Sequence, residues 1–324
     1  MTVAQQRDLL VNKYKVNPVY AEQLLAKISQ DSFDEAQVVS LLKAKPKPFV
    51  KWVGGKRQLL SQYHELGALA PEGFNPNQHT YHEPFVGGGA VFFELLPPNS
   101  ELSDMNEELV ITYNVIKDNV TGLIKELTSD YYLYDKERFL EIRALPKTQT
   151  LTDLQTAARF IYLNRTAFNG MYRVNSKGEF NVPFGRYTNP QIVDATNLIA
   201  VSGVLQDVTI KHQDYKAVLK RAKRGDFVYF DPPYYPVTKT ANFTSYTADT
   251  FLDKEQEELR DTFLELHSRG CSVALSNSDT PFINGLFEPL KKEGITTHKV
   301  QAGRNINSKA VGRGKVFEVL VKNF

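Results

Sequence analysis

The sequence predicts an α/β protein built on a mostly parallel sheet with helices on both faces. Three observations lead there. Short apolar strands alternate with helical stretches over most of the chain. Two of those strands run into the carboxylates Asp104 and Asp231, beside glycine-rich or proline-rich turns. One block, 131–204, breaks the alternation with helices followed by a turn-rich basic and aromatic piece. Strands separated by helices require crossover connections, which go with a parallel sheet buried on both sides. With 324 residues, the chain has ample core for one large domain or two ordinary ones.

In chain order, residues 1–47 predict a small helical extension ending in a basic linker. "NPVYAEQLLAKIS" places Asn17 at an N-cap and Pro18 at the first helical position. "SFDEAQVVSLLKA" sets Ser32 and Glu35 at capping-box spacing. "KAKPKP" then reads as a proline-stiffened linker with a boundary near Lys47. The predicted strands are "TYHEPFV", "SELSDM", "VTIKH", "DFVYF", "CSVALSN" and "KVFEVLV". They divide the remainder into a main α/β domain, 48–130 and 205–324, and an insertion, 131–204, that opens on helices such as "DLQTAARFIYLN".

Composition excludes several classes. No apolar run approaches the roughly 20 residues of a membrane span, and "MTVAQQRDLLVNKYK" lacks the features of a signal peptide. Cys271 is the only cysteine, so neither an internal disulfide nor a thiolate metal cluster is available, as suits a reducing cytoplasm. The formal charge is only +2, but cations cluster at 43–57, 211–224 and 299–315 while acids gather at 94–108. Segregation of that kind suits a face that follows phosphates, although any single cluster also reads as a solvated surface.

"HEPFVGGGAVFFELL" leads from a strand through Gly87, Gly88 and Gly89 into an apolar helix. Glycine lets a backbone approach a ligand closely. Asp104 lies at the tip of the next strand, where an acid can accept two ribose hydroxyls. The dinucleotide fingerprint fails because Phe92 stands at its last glycine position, which disfavours a nicotinamide enzyme. "KWVGGKRQLL" fails as a phosphate loop at Val50 and Arg57. It leaves a glycine turn with Trp52, suited to an adenosine-like group or to the core, and Lys56, suited to a carboxylate.

"FVYFDPPYYP" ends a buried strand on Asp231, at the ligand edge of a parallel sheet. Pro232 and Pro233 donate nothing, so their carbonyls are acceptors of constrained direction. Tyr234 offers a face on which a planar base gains roughly 1–3 kcal/mol by stacking. Together these residues describe a receptor for an exocyclic amine on a heteroaromatic ring. Two acceptors on the amine hydrogens localise the nitrogen lone pair for attack on a methyl group, and no metal is needed.

With these motifs in hand, residues 49–324 resemble the Dam-type D12-class, alpha-group DNA adenine-N6 methyltransferases, which use S-adenosyl-L-methionine and act on GATC. "KWVGGK", "EPFVGGG", the insertion and "DPPY" follow in the family's order. The resemblance implies a Rossmann-like methyltransferase domain and an inserted target-recognition region of helices and a β-hairpin. It implies cofactor contacts at Trp52, Gly54, Lys56, Glu83, Phe85, Gly87, Asp104 and Asp231, with Asp214 and Tyr215 in "HQDY" beside the cofactor adenine. Asp231, Pro232, Pro233 and Tyr234 take the catalytic positions.

In "NRTAFNGMYRVNSKGEFNVPFGRY" the resemblance assigns Arg173 to an outer guanine, Met171 and Pro183 to the thymine methyl, Phe168 to intercalation and Asn169 to the orphaned base. Lys51 matches a contact to the first guanine, while Arg165, Arg186 and Tyr187 match contacts to the DNA backbone. "TKTANFTSYTADTF" resembles a loop that closes over a flipped base, and "GRNINSKAVGRGK" a basic loop along phosphate, poorly ordered without DNA. The expected partner is double-stranded DNA, bound by a monomer in a bacterial or phage-infected cytoplasm. Cytosine N4, adenine in RNA, a glutamine side chain, or DNA binding without catalysis are the rival readings. The helical preface departs from the family, and the sequence assigns it no role.

Overall fold

The computed structural model describes residues 2–12, 21, 25, 45–237, 251–303 and 315–324. The predicted helices at 17–29 and 32–44 lie outside the described residues except Ala21 and Leu25, both buried. Most of "TKTANFTSYTADTF" and of "GRNINSKAVGRGK", with the order expected of the latter, lies outside them too. Among the described residues no helix is long and apolar enough to cross a membrane. The chain forms two compact units: 1–52, 107–171 and 182–210 in the first, and 53–106, 172–181 and 211–324 in the second.

The second unit carries most of a seven-stranded mixed sheet. Its strands are β1 (Tyr81–Glu83), β2 (Ser100–Asp104), β3 (Thr209–His212), β4 (Phe227–Phe230), β5 (Ser272–Ser278), β6 (Thr296–Gly303) and β7 (Lys315–Lys322). Their order is β3-β2-β1-β4-β5-β7-β6. Pairings β1–β2, β1–β4 and β4–β5 are parallel, as the alternating pattern predicts. The β5–β7 and β6–β7 pairings are antiparallel. Strand β6 is the one that the sequence reading missed. It alternates, but with few apolar residues: Val300 and Ala302 are buried while Lys299, Gln301 and Gly303 are exposed.

Register explains the two-sided core. Val228 pairs with Val273 and Phe230 with Leu275, so those side chains share one face. On that face they pack with Leu259 and Phe263 of a helix at Asp253–Ser268 and with Ile283 and Phe287 of another at Pro281–Phe287. The opposite face shows Tyr229 and Ser276, covered by Tyr63 of helix α2 (Leu60–Glu65). Because both faces are covered, the strands read as continuous apolar runs: all four residues of β4 are buried.

In the first unit, α1 (Val3–Asn12) precedes the linker. Lys47 is held there by a reciprocal backbone clasp with Asn197, at 3.0 and 2.9 Å, and by an ion pair to Asp194 at 3.2 Å. After α3 (Ala90–Leu95), which belongs to the second unit, helices α4 (Glu107–Leu127), α5 (Lys136–Ala144) and α6 (Asp153–Thr166) make most of the first unit's core. Helix α6 begins with a Thr152–Gln155 capping box. Arg159 is buried in that core, with Nη1 at 2.9 and 3.1 Å from the Glu108 carboxylate oxygens. Its other nitrogens donate to the Ile142 and Arg143 carbonyls.

Candidate active site

The site lies where β1, β2 and β4 of the second unit end. Asp231 follows the last residue of β4, so its position is set by a fully buried strand. Its Oδ1 lies 2.7 Å from Lys56 Nζ, with side-chain exposures of 22% for the acid and 3% for the lysine. The sequence offered Lys56 to a ligand's carboxylate; the structure instead pairs it with Asp231 and with the Gly54 carbonyl. Gly54 has φ +78°, a conformation that favours glycine. That turn carries Lys56 Nζ to 4.7 Å from the centre of the Tyr234 ring, a cation–π distance.

Burial raises the Asp231 carboxyl to about 6, opposed by the charge and hydrogen bond of Lys56 and reinforced by the Glu318 charge. Burial likewise holds the Tyr234 phenol well above its usual range, with Asp231 next in effect. Tyr234 Oη donates to Glu318 of β7 at 2.8 Å. Around it, the turn is secured by side chains that the sequence reading did not single out. Gln256 Nε2 donates to the Pro233 carbonyl (3.0 Å), Tyr235 N to Asn277 Oδ1 (3.1 Å) and Ser278 Oγ to the Tyr235 carbonyl (2.7 Å). Of the two carbonyls that the sequence left as acceptors, that of Pro233 is therefore taken. Among the described residues, the Pro232 carbonyl receives no hydrogen bond.

The glycine loop departs from β1. Gly87 and Gly89 have φ +47° and +68°, which bends the backbone back toward the next strand. Gly87 N donates to Asp104 Oδ2 (3.0 Å) and Asn106 N to Asp104 Oδ1 (2.9 Å), so the acid at the end of β2 is oriented by backbone. Phe85 stacks on Tyr215 with ring centres 5.2 Å apart at 25°. Asp214 caps the turn below Tyr215 through Lys216 N at 2.8 Å. Trp52 belongs to the first unit, where it stacks on Phe160 at 6.4 Å and 27°.

Glu83 is 2% exposed and sits beneath the loop, accepting from Tyr81 Oη (2.8 Å) and Phe92 N (3.0 Å). Burial raises its carboxyl to about 8, partly offset by the Tyr81 hydrogen bond. An acid whose folded pKa exceeds its unfolded value binds more protons when folded. Stability from Glu83 is thus full below about 4.5, the ordinary value, and declines up to about 8. Glu83→Gln should remove that decline: its melting temperature should vary less between pH 5 and 8 than that of the parent. Identical pH slopes in a melting series would show that Glu83 is ionised throughout.

The residues expected to recognise DNA divide between the units. In the first, Lys51 N donates to Asn164 Oδ1 (2.8 Å), and Lys51 Nζ lies over the Tyr187 ring at 4.8 Å. Burial lowers the Lys51 pKa, with Arg165 adding to the effect. Phe168 is 48% exposed on a turn anchored by its N–H to the Pro183 carbonyl (2.9 Å). Asn169 has φ +56°, Met171 is half-buried, and Pro183 and Arg186 are exposed. Arg165 and Tyr187 also serve the unit's own backbone, donating to the Phe49 (2.6 Å) and Ala167 (3.0 Å) carbonyls. In the second unit, Arg173 Nε donates to Asn181 Oδ1 (2.7 Å) across a short hairpin.

Comparison with known proteins follows from this geometry. Residues 52–306 match the family model described as D12 class N6 adenine-specific DNA methyltransferase. The chain belongs to that family. It is 44% identical over 283 residues to the type II methyltransferase M1.LlaDCHI of Lactococcus lactis subsp. cremoris, covering 86% of this chain and 95% of the relative. The type II methyltransferase M.MjaIII of Methanocaldococcus jannaschii is 43% identical over 293 residues, covering 86% and 99%. The DNA adenine methylase of Escherichia coli strain K12 is 33% identical over 285 residues, covering 85% and 95%. This D12-class protein is an adenine-specific DNA methyltransferase, and its sheet is that of an α/β enzyme of this kind.

Proposed function

We propose that the enzyme transfers a methyl group from S-adenosyl-L-methionine to N6 of an adenine flipped out of duplex DNA, within GATC. The observation that carries this reading is the end of β4. Asp231 is part-exposed and oriented, and the neighbouring Pro232 carbonyl accepts no hydrogen bond among the described residues. An amine placed between them has an acceptor for each hydrogen. Its nitrogen then becomes more tetrahedral and its lone pair is available for direct attack on the methyl carbon. Tyr234 supplies a face for the extruded base. Asp231 acts unprotonated, toward the N6 proton that must leave.

The residues at the ends of β1 and β2 suit the cofactor. The Asp104 oxygens, oriented by backbone N–H groups of the glycine loop and of the turn after β2, keep lone pairs for ribose hydroxyls. Phe85 and Tyr215 form an aromatic wall for adenine, capped by Asp214. When bound, S-adenosyl-L-methionine supplies an electrophilic methyl on its sulfonium. The chain's contribution is to orient the amine, exclude water and hold the proton.

Specificity for GATC rests on the hairpin, with Arg173 reading the outer guanine, Lys51 the first guanine, Met171 and Pro183 the thymine methyl, Phe168 the stack and Asn169 the orphaned base. Arg165, Arg186 and Tyr187 then position the DNA backbone, and a cytoplasmic monomer suffices. Methylation of GATC duplexes and of duplexes altered at one base, followed by analysis of the modified nucleoside, tests the whole reading. N6-methyladenine confined to GATC is expected; methyl on cytosine, or equal transfer to every duplex, overturns it. Arg173→Ala should lose about 5- to 150-fold on GATC, corresponding to roughly 1–3 kcal/mol, and relax one position. A uniform loss on all sequences would make it a phosphate contact.

A further inference from the structure

Glu318 stands out because the reading above gives it no task. It lies inside β7, opposite Ser278 of β5 and Val300 of β6, so its backbone is held on both sides. Its sequence neighbours Val319 and Val321 pack into the core face against the 253–268 and 281–287 helices. Period-two alternation therefore turns Glu318 to the other face, with Leu320, toward Tyr63 and Ser276. A carboxylate at an interior sheet position is rare without a partner, because its desolvation is costly. The partner here is Tyr234 Oη, at 2.8 Å.

Tyr234 needs such a partner. Its turn contains Pro232 and Pro233, which donate no backbone hydrogen bonds. The anchors from Gln256, Asn277 and Ser278 all grip the backbone of Pro233 or Tyr235, and none touches the ring. The ring torsion of tyrosine is broad and soft. What fixes the tilt of this ring is the tether at its far end, together with Lys56 Nζ lying 4.7 Å from its centre on one face. The same lysine is bonded to Asp231, so ring, cation and acid form one connected group. We infer that Glu318 is a positioning residue for methyl transfer: by accepting the hydrogen bond of the Tyr234 phenol it sets the plane on which the target base lies relative to Asp231. This rests on Tyr234 being the stacking face.

Single-turnover methyl transfer on a duplex, with 2-aminopurine fluorescence at the target position of a matched duplex, tests it. Four variants of the full chain suffice: Glu318→Ala, Glu318→Gln, Tyr234→Phe and the double variant Glu318→Ala/Tyr234→Phe. Glu318→Ala should slow the single-turnover rate about 10- to 100-fold, the span expected for a hydrogen bond to a charged group. Its affinity for S-adenosylmethionine should be unchanged, and its 2-aminopurine signal should shift toward the unstacked value. Glu318→Gln, which keeps an acceptor, should recover most of the rate. Tyr234→Phe should match Glu318→Ala, and the double variant should be no slower than either, because both remove the same bond. Losses that multiply in the double variant overturn the inference, as does a Glu318→Ala enzyme of normal rate. A separate control, Tyr234→Ala, distinguishes the two failures. If it is fast, the stacking face itself is misassigned. If it is slow while Glu318→Ala is fast, only the tether is wrong.

Discussion

Asp231→Ala should reduce the single-turnover rate of methyl transfer by three orders of magnitude or more while leaving measurable DNA binding. Loss of one preorganised group at a developing charge is worth about 10²–10³ in rate. Here a second effect adds to it. Lys56 is 3% exposed and loses the acid 2.7 Å away, which leaves a buried cation with the neutral Gly54 carbonyl in place of a counter-charge. Asp231→Asn separates the two effects. It keeps one acceptor oxygen but removes the charge, so it should retain a small residual rate above that of the alanine variant. The pH profile supplies a further check. With the carboxyl near 6, the unprotonated form that the proposed mechanism requires is nearly complete above about pH 7. The rate should fall tenfold per pH unit below about 6 and level above it. The same raised pKa means that the folded state holds the extra proton, so ionising Asp231 lowers stability as pH rises from about 4 to 6. Activity and stability therefore move in opposite directions across that window. A rate profile flat from pH 5 to 8, or an Asp231→Ala enzyme with normal turnover, removes the carboxylate from the chemistry.

The largest stability effect should come from Arg159→Ala in the first unit. The guanidinium is 2% exposed and makes four bonds: two to the Glu108 carboxylate and one each to the Ile142 and Arg143 carbonyls. It joins the start of α4 to the end of α5 through α6. Truncation opens a void, removes the side-chain donor from the Arg143 carbonyl and leaves the Ile142 carbonyl with the Leu145 N–H, and breaking a buried pair typically costs about 3–5 kcal/mol. The expected melting temperature falls by roughly 5–15 °C for a chain of this size. Arg159→Lys should recover little, since a single ammonium cannot bond a carboxylate and two carbonyls in a planar fork. Urea denaturation yielding a loss below 1 kcal/mol would show that the network is replaceable.

Much of the site can be read before folding because its residues are local exceptions to local rules. An acid directly after four apolar residues, three glycines before an apolar helix, and a Pro-Pro pair after a strand each violate the pattern of the element in which they occur. Strand β6 was illegible for the opposite reason: TTHKVQAG is polar enough to pass for a loop, and only pairing with β7 makes it a strand. Arg159 was invisible inside an apolar helical pattern, since nothing local specifies that Glu108 will face it. Arg165 and Tyr187, which the resemblance matches to contacts with the DNA backbone, also bond carbonyls of their own unit, and nothing local in the sequence announces those bonds.

From its own order of residues the chain determined where strands stop, which carboxylates stand at their ends, and which turns need glycine or lack donors. Those are consequences of short-range sterics and side-chain period. Only the folded sheet decided that Lys56 meets Asp231, that Gln256 takes the Pro233 carbonyl, and that Glu318 holds Tyr234. Such partners are remote in sequence, and strand order together with register, properties of the whole assembly of strands, sets the few ångströms across which a charge or a hydrogen bond acts.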